Sequence, residues 1–439
     1  MSMNRVSNLS ERLIPYSIAR FFSAGSPALL QLLLISLIGA SSAGRFYVLI
    51  SITMFLVIAA DSGANMAFPV LFGPSKEWQH PGLPLFLRTR LTLAIIFAFL
   101  AAVPWIAGFP FFVSTLPEAL TMLLVIPSRV LLLSHQGYHY SRSSFGTLQH
   151  AAMTSIIPVA AILPLWYFFP TQAPLLAYVS FLAATLTELR ILDCPDARPF
   201  LNGVSSIPSP VRQPTNPGQP SPIVPPGAHI SSIMPPLILF AFGNALLTRC
   251  DGVMVALFLN STEAGIFGTL DVMYRLLIQP PYLNGQANYP RLNKTFIEDD
   301  SAGRKRLLRE HLILCWSWLL PTTVICGVIL YSQTVTWGST SLCTLAFLLC
   351  LPFSGPNSMI TPWFMSIRRP VMLAGCASTF GVLRAIGAYH LVGMSGSLGL
   401  AINHLGFYLL QFAVYGLFAR IAQPVIQRAR LQNAFSARE

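Results

Sequence analysis

Charge is what this sequence has least of. Of its 439 residues only 10% are charged, against 54% hydrophobic, and the mean hydropathy is +0.62. A soluble chain of this size carries about a quarter charged residues, so a soluble globular domain is excluded and a polytopic membrane protein is expected. Carboxylates are scarcest, 15 Asp and Glu against 27 Lys and Arg. The cysteines, 7 in all, are odd in number and form no Cys-x-x-Cys pair. Cys250, Cys315, Cys326, Cys343, Cys350 and Cys376 lie within apolar runs and read as small hydrophobic filler, not disulfide or metal chemistry. No acid–base pair or nucleophile constellation stands out, which argues against an enzyme. No cofactor and no metal is called for. The net charge of +12 is spread in a way that speaks for membrane topology, not for nucleic-acid binding.

Long apolar runs are what the sequence has in abundance. About twelve are long enough to span a bilayer as helices: 16–38, 46–68, 88–112, 119–139, 150–170, 174–192, 232–259, 265–288, 311–331, 341–365, 371–391 and 397–419. The basic N-terminus followed by an apolar run resembles a signal peptide, but the run outlasts the usual ~7–15 residues, so an uncleaved first helix is expected.

Basic residues set the orientation. One set of connections holds Arg5 and Arg12; Lys76, Arg88 and Arg90; Arg142; Arg198 and Arg212; Arg291, Lys294, Arg304, Lys305, Arg306 and Arg309; Arg368 and Arg369; and Arg420, Arg428 and Arg430. The alternate set is short and holds only Arg45, Glu118 and Glu263. The strict alternation predicts both termini in the cytoplasm. Between the sixth and seventh spans, "DCPDARPFLNGVSSIPSPVRQPTNPGQPSPIVPPGAH" is rich in Pro, Ser and Gly with no apolar period, and reads as a cytoplasmic linker. The expected division is 1–192 for an N-terminal six-helix half, 193–230 for the linker, 231–420 for a C-terminal six-helix half, and 421–439 for a cytoplasmic basic tail.

The two halves echo each other. Laid without gaps over Ser261–Leu292, Ala40–Leu71 matches Ala43 to Ala264, Gly44 to Gly265, Phe46 to Phe267, Leu49 to Leu270, Leu56 to Leu277, Pro69 to Pro290 and Leu71 to Leu292. The offset is constant (265 − 44 and 290 − 69 both give 221), about half the chain. "LLVIPSRVL" (Leu123–Leu131) lies over "LLCLPFSGP" (Leu348–Pro356) with a slightly larger offset. An even number of spans per half makes the halves parallel, related by an axis along the membrane normal. The expected fold is an all-α polytopic membrane protein of about 12 transmembrane helices in two six-helix bundles related by internal duplication.

The two echoing hairpins, "IGASSAGRFYVLISITMFLVIAADSGAN" and "TRCDGVMVALFLNSTEAGIFGTLDVMYRLLIQPPYLNGQANYPRLNK", resemble lipid-linked oligosaccharide (O-antigen) flippases. These are Wzx-type polysaccharide exporters of the multidrug/oligosaccharidyl-lipid/polysaccharide exporter (MOP) superfamily. The residues carrying the resemblance are Arg249 and Asp251, then Gly265 and Phe267, then Pro290, Arg291 and Lys294, with Gly44, Phe46, Tyr47, Asp61 and Gly63 in the first half. The linker departs from the pattern by being longer and richer in Pro. The resemblance implies transfer of a polyprenyl-diphosphate-linked glycan from the cytoplasmic to the outer leaflet of a bacterial inner membrane by alternating access. Its implied partners are that anionic glycan lipid and the membrane lipids, with a coupling H+ or Na+ and a glycan polymerase left open.

The candidate site is read from charges inside spans. Centring an Arg or Asp in a bilayer costs roughly 2.5–3.5 kcal/mol. Arg249 and Asp251 stand two apart, about 200° around a helix, and share no face. Asp271 and Arg275, one turn apart, share one. Counted from the hairpin tip near Thr262, Arg249 and Arg275 are equally deep, and Arg249 is expected to reach Asp271. Arg129 and Arg384 are further arginines at depth, and Asn65, Gln286 and Asn288 offer neutral donors. Guanidinium forks match phosphate oxygens, so the arginine excess suits a diphosphate or an anionic sugar. Asp61, Asp251 and Asp271 divide between ion coupling and structural pairing; buried charges usually pair. His135, His390 and His404 read as polar interface residues. The span "LLCLPFSGPNSMITPWFM" is expected to break at its prolines and glycine. A drug or metabolite antiporter of the same superfamily is the alternative, and a membrane glycan polymerase or ligase is disfavoured by the short outer connections.

Overall fold

The computed structural model describes residues 26–61, 83–106, 115–141, 145–192, 230–298, 300–333, 339–366 and 370–436. Within these the chain is helical, and helices fall on all twelve expected spans. Helix α1 (Ser26–Leu37) stops where the amides of Ile38 and Gly39 both donate to the carbonyl of Leu34 at 2.9 Å. Gly39 turns there with φ 116°, a backbone angle that side chains resist. Helix α2 (Ala40–Asp61) therefore begins at the next residue. Then come α3 (Leu83–Ile106), α4 (Leu116–Ser141), α5 (Phe145–Thr154), α6 (Ile156–Phe168) and α7 (Ala173–Leu192). The second half holds α8 (Ile230–Phe258), α9 (Ser261–Ile297), α10 (Ser301–Gln333), α11 (Ser339–Asn357), α12 (Ile360–Ser366) and α13 (Pro370–Ser436).

Local chemistry sets several boundaries. The Thr115 amide donates to Glu118 at 3.2 Å, the reciprocal half of a capping box at the start of α4. Asn260 Oδ1 accepts from the amides of Thr262 and Glu263 at 3.1 and 2.9 Å and so caps α9. Asp300 caps α10 through the Gly303 amide at 2.8 Å.

The spans differ from the sequence expectation in three ways. The fifth divides at Ser155 into α5 and α6. The eleventh and twelfth form one continuous stretch, α13, interrupted at Ser395 and Gly396, where Gly396 has φ 56°. Helices α9 and α10 overrun the apolar runs on the side of their basic connection, reaching Ile297 and starting at Ser301. The i,i+4 pairs Lys294–Glu298 and Arg306–Glu310 support helix there without apolar burial. The tenth span breaks, but between its prolines, at Ser358 and Met359; Pro352, Gly355 and Pro356 stay inside α11 and Pro362 inside α12. Among the described residues eight helical stretches are long and apolar enough to cross a membrane, one of them the bent stretch of α13. Large apolar side chains such as Ile96, Phe99, Ile325, Val328 and Met394 stand exposed on them. In lipid, not water, is where that surface is stable.

The chain groups into two compact units. One holds the described residues up to 269 together with 370–382; the other holds 270–366 together with 383–436. The core of the first is built from Leu30, Leu34, Phe46, Leu49, Val125, Ile126, Trp166, Tyr178 and Phe181. Its most extensive packing joins α2 to α8. In the second, Leu292, Phe296, Leu307, Met359 and Trp363 form one cluster.

Within the first unit, the start of α2 crosses the start of α9 at the two matched glycines. A methyl on Gly44 would lie 1.8 Å from the Ser261 carbonyl oxygen, and one on Gly265 would lie 1.9 Å from that of Ala40. Ala40 and Ser261 are themselves one repeat apart (261 − 40 gives 221). The contact thus maps onto itself when the halves are exchanged, which is the signature of a two-fold relation. Tyr47 and Gly268, also one repeat apart, touch: a methyl on Gly268 would sit 2.3 Å from the Tyr47 ring. Only one large side chain fits at that place, and the repeat supplies one. Ser41 Oγ and Ser261 Oγ hydrogen-bond at 2.8 Å beside the crossing.

Candidate functional site

Helix α8 carries Arg249 half-buried and Asp251 buried. Cys250 Sγ donates to Asp251 Oδ1 at 3.6 Å. The helical turn puts Arg249 and Asp251 about 200° apart around α8.

On α9, Arg275 Nε donates to Asp271 Oδ2 at 2.8 Å. The Asp271 side chain is 1% exposed and the Arg275 side chain 21%. The pair therefore buries its negative end and keeps its positive end accessible. Two turns below the Pro280–Pro281 step, Asn288 donates to Asn284 at 3.2 Å, and the Asn284 amide lies 2.9 Å from His311 Nδ1 on α10. His311 Nε2 approaches Ser358 Oγ at 3.1 Å, at the break between α11 and α12. Asn288 is thus part of a polar cluster that joins three helices. Asn65 and the side chain of Gln286 lie outside the described residues.

Asp61, at the end of α2, is ion-paired with Arg90 of α3, and Arg90 Nη1 donates to Ser134 Oγ of α4 at 2.6 Å. Both charges are buried, Arg90 at 1%. Sequence reasoning counted Arg90 among the solvated basic residues of a connection. It lies instead inside α3, because that helix begins at Leu83. The signal was a lone carboxylate at the end of one span followed by an arginine at the start of the next. Two further pairs were also missed. Arg45 reaches Glu118 at 2.6 Å, and Gln136 Nε2 donates to the buried Glu188 at 2.6 Å, joining α4 to α7.

Arg129 is 8% exposed, with its guanidinium 4.9 Å above the centre of the Phe181 ring. Arg384 is 1% exposed; it hydrogen-bonds His404 Nδ1 and lies 5.6 Å from the Tyr408 ring. Asn403 ties back to the Arg384 carbonyl at 3.1 Å, and Tyr274 and Phe347 stack around His404 at 4.8 and 5.0 Å. These two arginines are held among aromatic faces, an arrangement that delocalised guanidinium tolerates. Arg249 and Arg275 are the more accessible members of the predicted set. Among the described residues no group of three or more His, Cys, Asp or Glu is arranged to hold a metal ion.

No protein-family profile matches the chain, and no curated relative does. Solved structures do. A eukaryotic MATE transporter superposes with a TM-score of 0.63 at 13% identity, over 97% of this chain and 99% of its own. An outward-facing multidrug resistance MATE transporter of the MOP superfamily gives 0.62 at 13% identity, over 96% and 97%. A MOP superfamily transporter from Pyrococcus furiosus with a binding pocket of reversed polarity gives 0.58 at 12% identity, over 95% and 97%. The chain has the fold of these transporters along its whole described length.

Proposed function

We propose that the protein is a transporter that exports an anionic, polyprenyl-diphosphate-linked oligosaccharide by alternating access. The cargo passes from the cytoplasmic to the outer leaflet of a bacterial inner membrane for surface polysaccharide assembly. Both termini and the Pro-rich linker lie on the cytoplasmic side in this reading, and the linker separates two six-helix halves.

One observation carries the choice of cargo. In the first unit Arg249 is half-buried while Asp251 is buried, and in the second Arg275 stays partly exposed while Asp271 is buried. A surface that hides its carboxylates and offers its guanidinium groups selects phosphate or anionic sugar over a cationic drug. The Pyrococcus furiosus neighbour, with its pocket of reversed polarity, supports the idea that one fold carries pockets of opposite sign. Fold alone does not choose cargo. The multidrug neighbours favour a second reading, a drug antiporter of the same superfamily.

Deletion of the protein followed by extraction of lipid-linked intermediates separates the two. A complete glycan lipid that accumulates facing the cytoplasm is the expected result. Unchanged glycan lipids together with drug sensitivity would establish the antiporter instead. Replacing Arg249 and Arg275 together by Ala is expected to leave membrane insertion intact and abolish surface glycan display. Normal display by that double variant would sink the site assignment.

A further inference from the structure

Every proline inside a helix removes one N–H and so leaves the carbonyl four residues earlier without its helical donor. In a bilayer no water replaces it, and the group must find a partner in the protein. Helix α9 carries prolines at 280, 281 and 290 and α11 at 352 and 356, of which those at 281, 352 and 356 face α10 through the carbonyls they orphan. The carbonyls orphaned by these three belong to Leu277, Leu348 and Pro352. Helix α10 supplies a donor to each of the three. Trp318 Nε1 donates to the Leu277 carbonyl at 2.9 Å and Trp316 Nε1 to that of Pro352 at 3.3 Å; the Thr323 hydroxyl, 2.7 Å from the Leu319 carbonyl of its own helix, shares its proton with that of Leu348 at 3.3 Å.

The placement is systematic along α10. Trp316 and Thr323 are seven residues apart and share the face toward α11. Trp318 lies about 200° from Trp316 and reaches α9. All three donors and acceptors belong to the same compact unit. The Leu277 carbonyl closes the turn that follows Asp271 and Arg275, the last regular turn of α9 before the Pro280–Pro281 step.

We propose that α10 is a splint for two proline-interrupted helices, and that Trp318 is a positioning residue for the Asp271–Arg275 pair. Its indole N–H stands in for the amide that Pro281 lacks and holds the Arg275 turn in register. Trp316 and Thr323 do the same for α11. The hydrogen-bond exchange is independent of cargo. The positioning role rests on the proposed transport function.

The test is a double-mutant cycle in the full-length protein, with thermal unfolding in lipid nanodiscs and surface glycan display in cells as readouts. Trp318→Phe keeps a ring and loses the donor. It is expected to lower the unfolding midpoint by about 2–4 °C and display by about tenfold, the weight of one hydrogen bond with no water to replace it. Pro281→Ala restores the backbone N–H, so Trp318→Phe is expected to cost almost nothing in that background. An indole serving only as an interfacial anchor would cost the same with or without Pro281, and equal losses overturn the proposal. If Trp318→Phe does not accumulate, Thr323→Val with Pro352→Ala gives the same cycle with a near-isosteric change, and absence of rescue there overturns it too. Rescue of stability combined with unaffected display in Trp318→Phe would remove the positioning role alone. Failure of the flippase reading would show instead in the Arg249 and Arg275 double variant, which the cycle does not touch.

Discussion

Helices α2 and α9 hold the same place in the two halves of the chain, and they agree and differ in an instructive order. Their first turns agree closely: Gly44 against Gly265, Phe46 against Phe267, and a crossing that maps onto itself. Further along, they part. Asp61 of α2 is paired across to Arg90 of α3, whereas Asp271 of α9 is paired within its own helix to Arg275. Helix α9 then meets the Pro280–Pro281 step, while the matched positions of α2 are Ala59 and Ala60. Backbone contact tolerates no variation, because each glycine faces a carbonyl oxygen. Charges can be re-paired by any neighbour that reaches them. The duplication therefore persists in the geometry of the crossing and is lost in the electrostatics, so one half carries a sealed ion pair and the other an accessible arginine.

The largest expected effect breaks the part that agrees. Gly44→Val and Gly265→Val each place side-chain carbon where a carbonyl oxygen stands, at distances of 1.8 and 1.9 Å, so the two backbones must separate. Cysteines at Ser41 and Ser261 report it directly. Their hydroxyl oxygens are 2.8 Å apart, within reach of a disulfide once replaced by sulfur. Ser41→Cys with Ser261→Cys is expected to cross-link nearly completely under mild oxidation, and either valine substitution to reduce cross-linking sharply. Undiminished cross-linking in the valine variants would mean that the glycines do not set the approach.

The second effect sharpens the part that differs. Removing one member of a buried pair leaves the other charge unpaired and costs about 3–5 kcal/mol. Arg90→Met is expected to behave in this way, because Asp61 stays buried behind it. Arg275→Met also takes the cation from a buried carboxylate, Asp271, but is expected to cost less than Arg90→Met, because the Arg275 side chain is 21% exposed and that of Arg90 only 1%. The glycan-display assay should reverse the order, with Arg275→Met the more damaging relative to its stability loss. Thermal unfolding and display measured on the same two variants check both statements. Similar unfolding midpoints would contradict the contrast between the halves.

What was legible in the sequence follows the same division. Apolar run length located every span, because a helix in lipid must satisfy its backbone internally. The ungapped offset matched Gly44 to Gly265, since that depends only on register, but their contact was not legible in it. That the tenth span breaks was legible from its prolines, but not that it breaks at Ser358 and Met359. Pairings between distant segments were not. Arg90 looked like a loop charge because its partner lies on another helix and its own helix starts earlier than the apolar run. Gln136 with Glu188 and Trp318 with Leu277 fail for the same reason. The orphaned carbonyls can be counted from proline positions, but which helix supplies the donor is a tertiary fact. Helix overrun at Ile297 and Ser301 escaped hydropathy because i,i+4 charge pairs, not apolar burial, sustain it.

The smallest effect concerns the turns that lead into the two crossing helices. Position 39 and position 260 are one repeat apart (260 − 39 gives 221), yet the turns use different chemistry. Gly39 supplies a backbone angle of 116°, whereas Asn260 supplies a side-chain oxygen to two amides of α9. Exchange of residues between the two places should therefore be asymmetric. Asn260→Gly keeps a permitted cap and is expected to cost a few tenths of a kcal/mol, and Asn260→Ala about 1 kcal/mol. Gly39→Asn puts a side chain at an angle it resists and should cost more than Asn260→Gly, about 1–2 kcal/mol. Unfolding midpoints of the three variants order these costs. A Gly39→Asn variant as stable as Asn260→Gly would show that the two turns are interchangeable and that the repeat extends through them in chemistry as well as in position.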